Sequence, residues 1–268
     1  MSQRRTETRV PGPLLVPAAL GVTFLVLPLV GLLVRTPWSE LAGQLAEPAV
    51  GQALRLSLVS ATFATALSLL LGVPLAWVLA RSQARGRSVL RALVTVPLVL
   101  PPVVGGVALF LVLGRQGIVG SWLDDAFGIT IPFTTTAVVI AQTFVAMPFL
   151  VISVEGALRA ADTRFEDVAA TLGAGRWTTF RRVTLPLVAP GVAAGAVLCW
   201  ARALGEFGAT ITFAGNFPGT TQTMPLAVYL ALQRDPDAAI VLSVLLLAVS
   251  LATLLLLRDR WLGRAGAA

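Results

Sequence analysis

The chain has 268 residues, 56% of them hydrophobic and only 12% charged, against about 25% charged in soluble domains. Its net charge is +7, yet every basic residue is arginine. Most of these arginines flank apolar runs, as membrane topology demands, and not the clustered patches that bind nucleic acid. There is no histidine, which excludes His-ligated metals, His general bases and metalloprotease motifs.

The apolar residues gather in runs of about 20 or more, the length that crosses a ~30 Å hydrocarbon core. The first run, Pro13 to Val34, follows Arg4-Arg5, which resemble an export signal. The run is too long for a signal core and lacks a small-residue cleavage site, so it reads as a membrane span. A mixed segment, Arg35 to Arg55, leads to a second span, Leu56 to Ala80. A loop with Arg81, Arg85, Arg87 and Arg91 precedes a third, Ala92 to Gly114. Pro97, Pro101-Pro102 and Gly105-Gly106 break its helical pattern, because each proline removes a backbone donor. It is either a kinked packing helix or a helix lining a pathway, since in lipid freed backbone groups survive only beside protein or a water-filled cavity. After a loop with Asp124 and Asp125 comes a fourth span, Phe133 to Val154. Then follows the one long polar stretch, about Asp162 to Pro186. The fifth span, Leu187 to Phe213, is interrupted by Arg202 and Glu206. A turn-rich segment reaches Asp235 and Asp237, and the sixth span is Ala238 to Leu257. The predicted fold is all-α and integral to the membrane, with six transmembrane helices. Residues 1–12 and 258–268 are its tails. No internal repeat is visible.

Arginine placement orients the chain. Fifteen of the twenty lie in the two tails, the 81–91 loop and the polar stretch. The positive-inside rule puts those segments, and both termini, in the cytoplasm. Cys199 lies in an apolar run and reads as a buried, inert thiol.

Within the polar stretch, Thr163 and Glu166 fit a capping box, and Asp167 adds charge favourable to a helix start. Gly173 and Gly175 suit a left-handed helix end. Arg176 to Val183 reads as a second short helix carrying Trp177 and Phe180, closed by Pro186. The stretch is either a handle for a soluble partner or a solvated loop with a surface helix.

Asp167-Val-Ala-Ala-Thr-Leu-Gly173, followed by Phe180-Arg-Arg-Val-Thr-Leu-Pro186, resembles the signature loop of ABC-importer permease subunits: Glu-Ala-Ala, three residues, Gly, and later a hydrophobic-Pro step. Asp167 replaces the Glu and Val168 the first Ala; Ala169, Gly173 and Pro186 match. A second stretch, Arg202-Ala-Leu-Gly-Glu206-Phe-Gly-Ala-Thr-Ile-Thr-Phe-Ala-Gly-Asn216 with Thr221-Gln-Thr-Met-Pro-Leu, resembles molybdate permeases, with sulfate and tungstate permeases sharing its first part. The resemblance covers residues 50–257 as a permease core of the type I importer fold. It implies that 156–187 is the coupling loop, in which Asp167, Ala169, Gly173, Ala174, Gly175, Arg176, Trp177, Phe180 and Pro186 serve contact with an ATPase. It further implies a homodimer, two ATP-binding subunits, an extracytoplasmic oxyanion-binding protein and residence in the bacterial cell membrane. No cofactor is expected on this chain; ATP and Mg belong to the partner, consistent with the absence of a lysine-ended phosphate loop.

Arg202 and Glu206 stand i,i+4 on one helix face and can pair. A bare carboxylate would repel a dianion, so Glu206 is expected to be neutralised by Arg202 and to fix helix geometry. Arg202, Gly205, Glu206, Thr210, Thr212 and Asn216 are the candidate pathway and gate residues; Arg202 is either shared transiently with the anion or purely a structural partner of Glu206, and for the threonines and Asn216 ordinary caps and turns are the alternative. Gly191-Val-Ala-Ala-Gly195 is a small-xxx-small pattern, either a dimer seam or a contact within the chain. A secondary transporter should show inverted repeats and more buried titratable groups. An intramembrane enzyme needs a nucleophile with its base or a metal cluster, and the chain offers neither.

Overall fold

The computed structural model describes residues 12–82 and 85–262. The tail arginines Arg4, Arg5, Arg9 and Arg264 lie outside the described residues. Among these the secondary structure is entirely helical. In chain order the helices are α1 (Gly12–Arg35), α2 (Leu41–Leu45), α3 (Pro48–Arg81), α4 (Arg87–Val99), α5 (Pro102–Leu113), α6 (Gly120–Phe127), α7 (Thr135–Ala160), α8 (Arg164–Thr171), α9 (Arg176–Thr179), α10 (Leu185–Leu204), α11 (Gly208–Phe213), α12 (Met224–Arg234) and α13 (Pro236–Leu262). A π-helical turn, Phe180–Thr184, joins α9 to α10. Five helices are long and apolar enough to cross a membrane; the bent pair α4/α5 makes a sixth if it counts as one span.

The core is α7 sandwiched by α3 and α10. In lipid no hydrophobic force pulls helices together, so close packing of small residues must do so. The buried face of α3 is accordingly mostly small: Ala53, Ser57, Ser60, Ala61, Ala64, Thr65, Ser68, Gly72 and Ala76, with the larger Val50 and Leu79 toward its two ends. A Cβ on Gly72 would approach Leu150 and Val151 of α7 to 3.2 Å. The Gly191/Gly195 pattern resolves as a contact within the chain. A Cβ on Gly191 would overlap Ala157 of α7, and one on Gly195 would lie 3.0 Å from Ser153 Cβ. Ser153 Oγ donates to Gly191 O at 3.2 Å.

Several expectations need correcting. The third span is not one helix: α4 and α5 meet at a 115° bend. Adjacent Pro101 and Pro102 remove two successive donors, which a simple kink cannot absorb. The second span starts at Pro48, not Leu56, because proline suits a first helical position; its 34 residues span about 51 Å. The fifth span is both extended and cut. Helix runs without interruption from Arg176 to Leu204, so Pro186 closes nothing. In the π turn the Leu185 N–H reaches back to Phe180 O, and this wider turn accommodates the proline. At the other end Gly205 terminates α10 and α11 begins afresh at Gly208. The turn-rich segment holds a helix, α12, whose Met224 N–H donates to Ser57 Oγ of α3 at 2.7 Å. The last helix runs on to Leu262, into the expected tail.

Candidate functional site

Two polar features sit at opposite ends of one continuous helix, Arg176–Leu204, of about 43 Å at 1.5 Å per residue. At its start is the polar loop, about Asp162 to Pro186. Helix α8 ends in a Schellman motif: Gly173 N–H donates to Ala170 O and Ala174 N–H to Ala169 O, each at 3.0 Å. Gly173 has φ +79°, the left-handed geometry this motif demands. Gly175 is not left-handed; at φ −68°, ψ 159° it is the N-cap of α9. The capping box does not form, since Thr163 makes no side-chain cap. Glu166 is engaged elsewhere: Arg81, the last residue of α3, donates to its Oε1 at 2.8 Å, and Thr184 Oγ1 donates to the same oxygen at 3.1 Å. Asp162 Oδ1 accepts the Arg164 N–H instead, at 2.9 Å. The loop is thus clasped to α3 and to the π turn.

Phe180 stacks on Trp177 at 5.7 Å and meets Trp77 of α3 edge-on at 6.1 Å. These rings, with Pro74, Val78 and Arg176, border a groove of about 290 Å³. Asp167, Gly173, Gly175, Arg176, Trp177 and Pro186 are exposed, whereas Ala169, Ala174 and Phe180 are partly covered by the bundle. Sequence reasoning missed Phe165, Val168 and Leu172, the last 83% exposed. Their i, i+3, i+7 spacing on a polar helix was the available signal. It also missed the clasp residues Arg81, Glu166 and Thr184. Glu155 of α7 pairs with Arg91 of α4 and, at 2.8 Å, with Arg159.

At the far end of the same helix, Arg202 Nη1 lies 2.7 Å from Glu206 Oε2. Glu206 is 1% exposed, and its Oε1 accepts the Ala209 N–H at 2.7 Å. Gly205 ends α10 beside this pair. Thr210 is fully buried on α11, with its hydroxyl unpartnered by protein. Thr212 Oγ1 donates to Gly208 O of its own helix at 2.9 Å and reaches Val103 O of α5 at 3.4 Å. Asn216 is half-buried just beyond α11. Thr221 is a turn residue, its Oγ1 accepting Phe217 N–H at 2.9 Å. Between α5 and α6, Arg115 Nε lies 2.8 Å from Asp124 Oδ2; that hydrogen bond, aided by the guanidinium charge, holds the Asp124 carboxyl below its usual range.

This arrangement is a polar loop clasped to the bundle, one continuous helix and a charged break. Residues 68–264 match the family described as binding-protein-dependent transport system inner membrane component. The chain belongs to that family. Among relatives of this permease family, the molybdenum transport system permease protein ModB of Mycobacterium tuberculosis is 52% identical over 243 residues, covering 91% of this chain and 92% of the relative. ModB of Escherichia coli K12 is 42% identical, covering 80% and 93%. The sulfate transport system permease protein CysT of Escherichia coli K12 is 36% identical, covering 86% and 84%. Among solved structures, a bacterial ABC transporter that imports the acidic polysaccharide alginate aligns with a TM-score of 0.71 at 19% identity, covering 93% of each chain. An inward-facing MetNI methionine ABC transporter aligns at 0.60 and 19%, covering 87% and 96%. At these identities the two structures speak to the fold, and it is the same fold.

Proposed function

We propose that this chain is the membrane-spanning subunit of an ATP-driven molybdate importer. The observation that carries the substrate is the 52% identity to ModB across nine-tenths of the chain. In this reading two copies form the pathway, two ATPase subunits hold ATP and Mg, and an extracytoplasmic protein delivers the oxyanion. The coupling loop faces the cytoplasm, as do both termini. Closure of the ATPase dimer pushes the loop formed by Asp167, Ala169, Gly173, Ala174, Gly175, Arg176, Trp177, Phe180 and Pro186. The Arg176–Leu204 helix passes that displacement to the break at Arg202, Gly205 and Glu206, where Thr210, Thr212 and Asn216 stand beside the gate. The clasp on Glu166 supports this reading, because a handle that transmits force must be fixed to the machine it moves.

Uptake into vesicles containing the complete complex tests the proposal. Labelled molybdate should accumulate only with ATP, and excess molybdate should compete better than sulfate. Uptake without an ATPase subunit would sink the importer reading. A second substrate reading, sulfate, is favoured by the CysT likeness; preferential competition by sulfate would establish it over molybdate.

A further inference from the structure

The two interrupted spans break at neighbouring points in space. Helix α5 starts at Pro102 after the 115° elbow, and α11 starts at Gly208 after the Gly205–Phe207 break. A Cβ on Gly208 would lie 2.9 Å from Pro102 Cβ and 3.1 Å from Val103 N. One turn further along α5, a Cβ on Gly106 would overlap Thr212 Oγ1 and lie 2.8 Å from Ala209 O. Neither glycine could carry a Cβ against the facing helix, so the position of α11 follows that of α5 closely. Of six residues, α11 is too short to hold its own orientation by backbone bonding. What fixes its start is Glu206. One carboxylate oxygen takes the Ala209 N–H, in the first turn of α11; the other takes Arg202, in the last turn of α10.

We propose that Glu206 is a positioning residue for transport: its carboxylate bridges α10 to α11 across the break and thereby aligns α11 on the α5 elbow. Glu206 touches no anion in this role. Arg202 is needed chiefly because a buried carboxylate without a partner is costly; the acceptor for Ala209 is the functional part. The inference rests on the permease reading above. It makes α5 and α11 a single gate element whose alignment is set from the α10 rod.

The test uses the assembled complex in vesicles and two charge-free double variants, Arg202→Leu/Glu206→Gln and Arg202→Leu/Glu206→Leu. Neither leaves a lone buried charge. Only the first keeps a carbonyl that can accept the Ala209 N–H. Losing a cap alters a local equilibrium by a factor of about 5–30. The Gln double variant should therefore keep uptake within about threefold of the native complex. The Leu double variant should lose about 5–30-fold in maximal rate, with its half-saturating concentration of loaded binding protein and its ATP hydrolysis retained. Equal uptake by the two variants would overturn the proposal. So would equal loss in both, which would assign the function to the charges. If the Leu double variant fails to assemble, Arg202→Leu/Glu206→Ala takes its place as the arm without an acceptor: uptake about 5–30-fold below that of the Gln double variant supports the bridging role, and uptake equal to it overturns the proposal. Native complex that moves no oxyanion would instead refute the permease reading itself.

Discussion

Gly173 shows how one backbone angle can hold the shape of a whole loop. Its φ of +79° costs roughly 1–2 kcal/mol for most L-residues. A Cβ there meets nothing within 4 Å, so crowding plays no part and the angle alone matters. Gly173→Asn should be tolerated, because asparagine visits the left-handed region. Gly173→Val should unwind the Schellman closure, displace Ala174 to Trp177, and reduce the ATPase subunit that co-purifies by about 5–30-fold. Equal co-purification for Asn and Val would refute the argument. The family pattern made Gly173 legible in the sequence, and its turn chemistry made its geometry legible too. Glu166 was misread at the same scale. A capping box is a local rule, whereas the actual partner, Arg81, lies 85 residues away, and no periodicity links the two. Gly175 was misread because two glycines fitted one left-handed role, and the chain uses the second to start a helix.

At the scale of elements, apolar runs announced α1 to within one residue, because hydrocarbon thickness imposes its length; they announced α3, α7 and α13 as well, but those helices run five to eight residues past the apolar stretch at one end. The breaks were harder. Pro101-Pro102 signalled an irregularity, but a 115° elbow depends on what α5 packs against, which is α11. The cut at Gly205 was hidden by an uninterrupted apolar run on both sides of two charges. The seam between α7 and α10 belongs here as well. Gly191 faces Ala157 with no room for a methyl group, whereas Gly156, on the same stretch of α7, faces open space. Gly191→Leu should therefore overpack the seam by about 1–3 kcal/mol and lower the thermal midpoint of the purified protein. Gly156→Ala should raise it slightly, since alanine is the better helix former by up to about 1 kcal/mol. A Gly191→Leu protein as stable as the native one would mean that the seam opens freely, contrary to the packing.

For the whole molecule, α1 stands apart. Among the described residues none of its side chains is buried, and its main packing within the chain is against α13. The matched family region begins only at residue 68, so the bundle built on α3, α7 and α10 is the part that carries the common design. That bundle also carries its own orientation signal. Arg81, Arg85, Arg87 and Arg91 lie at the end of α3 and the start of α4, and Arg159, Arg164, Arg176, Arg181 and Arg182 lie in and around the polar loop between α7 and α10. Nine arginines at one end of the core should hold that end in the cytoplasm with or without α1. A chain lacking residues 1–36 has one span fewer. Its new N-terminus should therefore move to the extracytoplasmic side, while its C-terminus stays in the cytoplasm. Reporter fusions active on only one side of the membrane, placed at each end of the native and truncated chains, measure this directly. If the C-terminal reporter changes sides on truncation, α1 and the tail arginines set the topology, and the core's own charges do not.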